Sequence, residues 1–328
     1  DIIARLHQLD ADDLKLDDKL GDKPATAAEC ALDDVDRQLQ QFDSFLSQYT
    51  DPLITYAVQW LRRHAPESVA RISLVQGDTG PVNFMFEGDK VTAVVDWEWG
   101  HWGDPMEDLG NICVREFWNP SGGLKGLFQR YQAASGIPYN RFSAQYYRIQ
   151  QNVRGMIPIH VACHYMPEGQ SLAWYLCYRY IGDRSTCEAL ADAMGISIEK
   201  PQFPEERAPG NFARAVGNHL RTDIEPALSS KFAQSRAADI AILVECMERV
   251  HHYGELLQAQ ECAEVSALLG QPLPDYTQAM SELNAAIIDG KLSDEDVIPY
   301  LARRAYRDEW LHWPVTRLYP DRQWSPLD

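Results

Sequence analysis

Apolar residues recur at helical spacing along almost the whole chain, and the period changes to that of a strand in one short region only. Near the start, "DIIARLHQLD" puts Ile2, Ile3, Leu6 and Leu9 on one face, which predicts a helix over 1–9. A loop rich in aspartate follows to about residue 26. Thr26 with Glu29 has the spacing of a capping box and opens a long helix to about Tyr49. In "DPLITYAVQWLRRHAP" Asp51 caps, Pro52 takes the first turn and Pro66 follows the end, so another helix is expected. Then "RISLVQ" (71–76), "NFMFE" (83–87) and "VTAVVDW" (91–97) are short and β-rich, with the turn "EGDK" between the last two. Helical spacing resumes over about 104–117, 122–135, 139–164 and 170–193. The proline-rich, charged "EKPQFPEERAPG" (199–210) is the best candidate for a domain boundary. Beyond it helices are expected at 211–224, 229–254, 256–269, 274–289 and 293–311. The fold class is therefore mostly α (α+β): residues 1–200 with a small β-hairpin, then a second all-helical domain over 210–328 whose role the sequence does not state.

Composition narrows the function. The chain has 328 residues, 45% hydrophobic and 24% charged, with a formal net charge of −18. Phosphate-backbone binding needs clustered Lys and Arg, so no nucleic-acid partner is expected. The acidic run "LDADDLKLDDKLGDK" reads as a solvated loop, or as a rim that attracts a cationic substrate. Seven cysteines without a CxxC point to reduced thiols and a cytoplasmic location. No apolar run reaches the roughly 18 residues of a membrane span, so no membrane partner is expected either. No signal peptide is visible, and the chain opens without Met inside a helical pattern, like the interior of a longer protein.

The chemistry concentrates in residues 74–105. Moving a phosphoryl group to a hydroxyl needs a carboxylate beside the attacking oxygen. It also needs a metal on the nucleotide phosphates, held by oxygen ligands such as Asp and Asn. "GDTGPVN" followed by "VVDWE" has that layout: Asp78 just past a strand, Asn83 five positions later, and Asp96 at the end of the hairpin's second strand. Gly77, Gly80 and Pro81 set the turn of the loop.

This pattern resembles the aminoglycoside phosphotransferase and choline-kinase-like group of protein-kinase-like folds. The catalytic loop of that group reads H-G-D-x-x-x-x-N, and its metal-binding Asp follows a short hairpin. "DIIARLHQLD" is similar to the helix that enters the helical lobe of those enzymes. "DWEWGHWGDPMEDLG" is similar to the stretch after their metal Asp, and the likeness extends over residues 1 to about 195. The resemblance implies an ATP-dependent small-molecule kinase using Mg2+, with a small-molecule hydroxyl as acceptor. It makes Asp78 the catalytic base or hydroxyl-orienting residue. Asn83 and Asp96 become the metal and cofactor ligands, and Asp104 and Asp108 supports of the loop. Gln76 stands where the family has His and would give the same support through an amide. The β-rich nucleotide lobe of the family, with its Lys and Glu, has no counterpart before residue 71, so this chain alone is expected to be inactive. The alternative is a truncated or degenerate, non-catalytic member that binds a small molecule or a protein.

Other groups have blander readings. "SGGLKGLF" (121–128) caps a helix rather than binding phosphate. His160 and His164 stand four apart but lack the Glu of H-E-x-x-H. Arg148, Arg154, Tyr178 and Arg179 share helical spacing and serve packing or substrate contact. Trp97, Trp99 and Trp102 pack the hairpin or wall an acceptor pocket.

Overall fold

A computed structural model describes residues 1–49 and 51–327, without the side chains of Ala11 and Asp17. The elements are α1 Ile2–Gln8, α2 Ala11–Leu14, α3 Asp17–Leu20, α4 Ala27–Gln41, α5 Asp43–Leu46, α6 Pro52–Arg63, β1 Ser73–Val75, β2 Phe84–Glu87, β3 Lys90–Val94 and β4 His101–Gly103. Then come α7 Met106–Trp118, α8 Leu127–Ser135, α9 Arg141–Tyr165, α10 Leu172–Met194, α11 Asn211–Asn218, α12 Lys231–Leu269, α13 Tyr276–Ile288, α14 Asp294–Leu311 and α15 Trp313–Thr316. The fold is mostly α with two small antiparallel sheets, β1 with β4 and β2 with β3. Among the described residues before Ser73 there is no strand.

The local signals act where the sequence puts them. At α4 the Thr26 hydroxyl accepts from Glu29 N at 3.1 Å, and the Glu29 carboxylate reaches back to the backbone before it. At α6 Asp51 accepts from Leu53 N at 2.9 Å, and Pro52 stands in the first turn where no N–H is needed.

Five expectations change. The acidic stretch carries the two short turns of helix α2 and α3 rather than plain loop. The helix expected to run to Tyr49 breaks at Phe42, which ends α4 and precedes α5. The helix expected from 122 starts at Leu127, because the Glu116 carboxylate takes the amides of Ser121 (2.9 Å) and Gly123 (2.6 Å) and holds them in a loop. The break expected near residue 254 is absent: α12 is continuous over 39 residues, with Gly254 buried inside it. The strand expected over 91–97 also ends early. It stops at Val94, Asp96 turns the chain with φ at 61°, and β4 then pairs with β1 in the register Ser73 to Gly103.

Packing is closest where α7 crosses α9. A Cβ on Gly110 would lie 2.7 Å from the backbone of Tyr147, so only glycine permits the approach. One apolar cluster joins Ile3, Val35, Leu61, Leu109 and Ile149 to Leu283, Val297 and Leu301, although these lie on opposite sides of 199–210. That segment has no helix or strand, and the core runs on across it.

Candidate active site

The loop after β1 is built around two side chains that tie it down. Asp108, fully buried in the first turn of α7, accepts from Gln76 N at 3.0 Å and His7 Nε2 at 2.9 Å through one oxygen. Its other oxygen accepts from Gly77 N at 2.9 Å and the Thr79 hydroxyl at 2.6 Å. Burial opposes its charge, yet the donors from His7, Thr79 and Gln76 outweigh that and hold its pKa below the usual carboxylate value. Gln76, also fully buried, uses both ends of its amide. Its oxygen accepts from Asp78 N at 3.0 Å, and its nitrogen donates to Asp96 O at 2.7 Å and Val95 O at 3.2 Å. One side chain thus fastens the Asp78 loop to the segment that carries Asp96. Gly77 stands between them at φ 81°, and a Cβ there would meet Trp99 O at 2.4 Å.

Asp78 and Asn83 are in direct contact. Asn83 Nδ2 donates to the Asp78 backbone oxygen at 2.7 Å and to its Oδ2 at 2.9 Å. Two oxygens against one amide end fix its orientation, so Asn83 presents Oδ1 as its remaining acceptor. Asp96 joins through the backbone: Val95 N donates to Asn83 O at 2.9 Å, which continues the β2–β3 ladder. The Asp96 carboxylate itself is exposed. Asp104 lies apart from these groups. It is buried, accepts from Met106 N at 2.9 Å and shapes the entry to α7. Burial pushes its carboxyl up to about 7, against the pull of that N–H.

Arg115, from the third turn of α7, forms an ion pair with Asp78 Oδ1. Beside this pair opens a cavity of about 320 Å3 between α7, α9 and α10, at the small end of the roughly 300–1,000 Å3 usual for small-molecule sites. Asp78, Trp99, Trp118, Arg154 and Tyr178 line it, as does Tyr319 from the turn after α15. Of the four residues noted for helical spacing, Arg154 and Tyr178 reach the cavity. Arg148 instead stacks 3.5 Å over Trp324 and donates to Ser325 O at 2.8 Å, and Arg179 lies beside Asp183. Trp99 is at the cavity under the Arg154 guanidinium (4.6 Å), whereas Trp102 is buried and Trp97 donates to Val94 O within the hairpin. His160 is taken up by Asp183 (2.9 Å) and Tyr49 (3.1 Å). Among the described residues no group of three or more His, Cys, Asp or Glu forms a metal cluster, and no helix is long and apolar enough to cross a membrane.

Sequence reasoning missed His7, Arg115 and Tyr319. Each is remote in the chain from its partner, and His7 and Tyr319 carry no local signal. For Arg115 a weak one exists: it lies one helical turn beyond Asn111, which donates to Gly77 O at 3.1 Å, so the face of α7 toward the loop was deducible.

The model of the phosphotransferase enzyme family matches residues 1–145. Over these residues, less than half of its length, the chain is similar to that family. The matched stretch ends early in α9, so it holds α1, the loop, both sheets and α7, while α10 and the turn bearing Tyr319 lie beyond it. Similar curated proteins include acyl-CoA dehydrogenase family member 11 of Rattus norvegicus, 29% identical over 138 residues, which cover 42% of this chain and 17% of the relative. Acyl-CoA dehydrogenase family member 10 of Mus musculus is 29% identical over 170 residues, 48% of this chain and 14% of the relative. The chain thus spans less than a fifth of the length of these relatives. No solved structure matches it.

Proposed function

We propose that the protein carrying this sequence transfers the γ-phosphoryl group of ATP to the hydroxyl of a small molecule bound in the cavity beside Asp78. The observation that carries this reading is the placement of Asp78. Its carboxylate is half-buried at the cavity wall, its loop is held by Asp108 and Gln76, and Asn83 and the Asp96 segment stand on its other side.

The roles follow from chemistry. Phosphoryl transfer through a loose transition state asks the protein mainly for positioning and charge. Asp78 accepts a hydrogen bond from the acceptor hydroxyl and aligns its oxygen. Arg115 adds positive charge where negative charge spreads during transfer. The Asn83 amide oxygen and the Asp96 carboxylate are hard oxygen donors suited to Mg2+, which keeps several waters and needs few protein ligands. When bound, the ion would neutralise the nucleotide phosphates. Asn83 has a second duty, because its amide nitrogen holds Asp78 in one orientation. Gln76 keeps the two halves in register, and Asp104 and Asp108 fix the start of α7 and the loop.

The test is turnover of MgATP by the natural protein carrying this sequence, over a panel of small hydroxyl compounds. Asp78→Asn should lower kcat by roughly 10²–10⁴, the span of a positioned acid–base group, and leave the Mg2+ requirement unchanged. Asp96→Asn should instead raise the Mg2+ needed for half-maximal rate. If the two variants behave in the opposite sense, the assignments are exchanged. If no panel member is phosphorylated, the reading fails.

A further inference from the structure

The turn after α15 closes one side of the cavity, and it is not a loose tail. Gln323 N donates to Phe117 O at 3.0 Å at the end of α7. Arg322, almost fully buried, donates to Glu309 Oε1 at 2.8 Å through Nε and to Thr316 O at 3.0 Å through a terminal nitrogen. Glu309 also receives Arg184 from α10, at 3.0 Å. Buried ion pairs of this kind hold geometry even where they add little stability. The turn therefore delivers Tyr319 to a fixed place. There its ring meets Trp118 edge-on with centroids 5.2 Å apart, and Tyr178 at 6.1 Å. Trp118 and Tyr178 meet edge-on at 5.8 Å. Three elements far apart in sequence thus share one aromatic wall of the cavity that Asp78 also lines.

The charges of the cavity are already matched. Asp78 and Arg115 pair with each other. Arg154 is held by Glu107 at 3.3 Å, by Asp34 at 3.5 Å and by the Gly77 carbonyl. The other lining groups are amides and apolar side chains, among them Val114, Met156 and Ile159. A charged group on the acceptor would lose its hydration there without gaining a partner. A cation would meet Asp78 only where Arg115 already neutralises it, and Trp118 meets Tyr319 and Tyr178 edge to face rather than forming an open box of faces.

Resting on the phosphotransfer reading above, we propose that Tyr319, with Trp118 and Tyr178, determines acceptor specificity and selects an alcohol carried on an apolar, uncharged body. The C-terminal turn is thereby part of the acceptor site.

The experiment measures binding by titration calorimetry on the natural protein, with no nucleotide present. The probes are 3-phenyl-1-propanol, the quaternary alcohol choline and the polycation kanamycin. Phenylpropanol should bind saturably and the other two should not. Tyr319→Ala should weaken phenylpropanol by about tenfold or more, the loss expected for an aromatic contact together with its buried area. Tyr319→Phe should stay close to wild type. If Tyr319→Ala proves unfolded, a diazirine analogue of phenylpropanol on the wild-type protein decides. Label on peptides containing Trp118 or Tyr319 supports the proposal, and label elsewhere overturns it. Absence of phenylpropanol binding, binding unchanged in a folded Tyr319→Ala, or tighter binding of choline or kanamycin also overturns it. Turnover separates the two readings. Phenylpropanol binding at this wall without phosphorylation of any panel alcohol sinks only the phosphotransfer reading. Phosphorylation of a polycationic acceptor sinks only the specificity proposal.

Discussion

Gln76 shows how far a single position can be read in advance. The resemblance implies that Gln76, standing where the family has His, supports the loop, and its amide contacts both Asp78 N and the carbonyls of Val95 and Asp96. Gln76→Glu would set a carboxylate against those two carbonyls in a fully buried place. It should cost about 1–3 kcal/mol or more, the range for a buried polar group left without a partner, and Gln76→Met, which leaves Asp78 N and both carbonyls unpaired at once, should cost at least as much. Urea unfolding of the two variants gives the order, and a Glu variant as stable as wild type would contradict the clamp. His101 permits a pH prediction. Burial disfavours its charge, but the Glu107 carboxylate 3.0 Å away and the Trp99 carbonyl at 2.8 Å outweigh it and raise the pKa from 6.5 to about 9. A histidine raised on folding adds stability that is complete below its unfolded pKa and lost as pH rises through the folded one. Stability should therefore fall between pH 6.5 and 9, and His101→Gln should flatten that fall in thermal melts. Asp104, raised from 3.8 to about 7, changes stability between those two values and so overlaps only the lower edge of this window. None of the His101 environment was legible from "WGHWGDP", because β4, which presents the ring, owes its strand to pairing with β1 rather than to its own three residues.

Helices were legible where caps and apolar period agree, and their ends were misread where a tertiary contact intervenes. The late start of α8 is the work of Glu116, which no local pattern announces. The continuity of α12 is the work of neighbours that bury one face past Gly254, overriding a residue that disfavours helix by about 1 kcal/mol relative to alanine. Two glycines then give predictions of opposite sign. A Cβ at Gly254 would meet only Val250 Cγ1, at an ordinary 3.5 Å. Gly254→Ala should stabilise the protein by about 0.5–1 kcal/mol, since it lowers the entropy of the unfolded chain and introduces no clash. Gly110→Ala should do the reverse. Its Cβ would press on the Tyr147 backbone and part α7 from α9, at a cost of about 1–3 kcal/mol or more. Because α7 carries Asp108, that variant should lower activity as well as stability. Denaturant melts of both, run side by side, test the packing directly: a stabilised Gly110→Ala would mean that the helices do not cross so closely.

At the level of the whole chain, a charged, proline-rich stretch at 199–210 suggested two bodies, and residues 1–145 alone match the phosphotransferase family. The packing argues that the helices on either side depend on each other. α13 and α14 bring Leu283, Val297 and Leu301 into the same apolar cluster as Leu53 and Leu61 of α6. Polar groups cross as well. The Tyr56 hydroxyl donates to Asp294 at 2.6 Å, and Arg304 reaches Asp51 at 3.1 Å, with both side chains largely buried. Burial alone would raise the Asp51 pKa, but the Arg304 charge overrides it and lowers the pKa well under the usual carboxylate value. A chain cut after residue 198 would keep Asp51 at the cap of α6 and remove its partner. Stranding one member of a buried pair costs about 3–5 kcal/mol, a large part of the roughly 5–15 kcal/mol that holds an ordinary domain together. The cut would also expose the apolar face of α6 that α13 covers, and it would remove the Tyr319 wall from the cavity. Residues 1–198 should therefore show helical far-UV circular dichroism but a weak near-UV signal, bind a hydrophobic dye and melt without a sharp transition. A steep two-state melt with a native near-UV spectrum would show instead that 199–210 separates two independently stable bodies, and that the contacts across it add little to either.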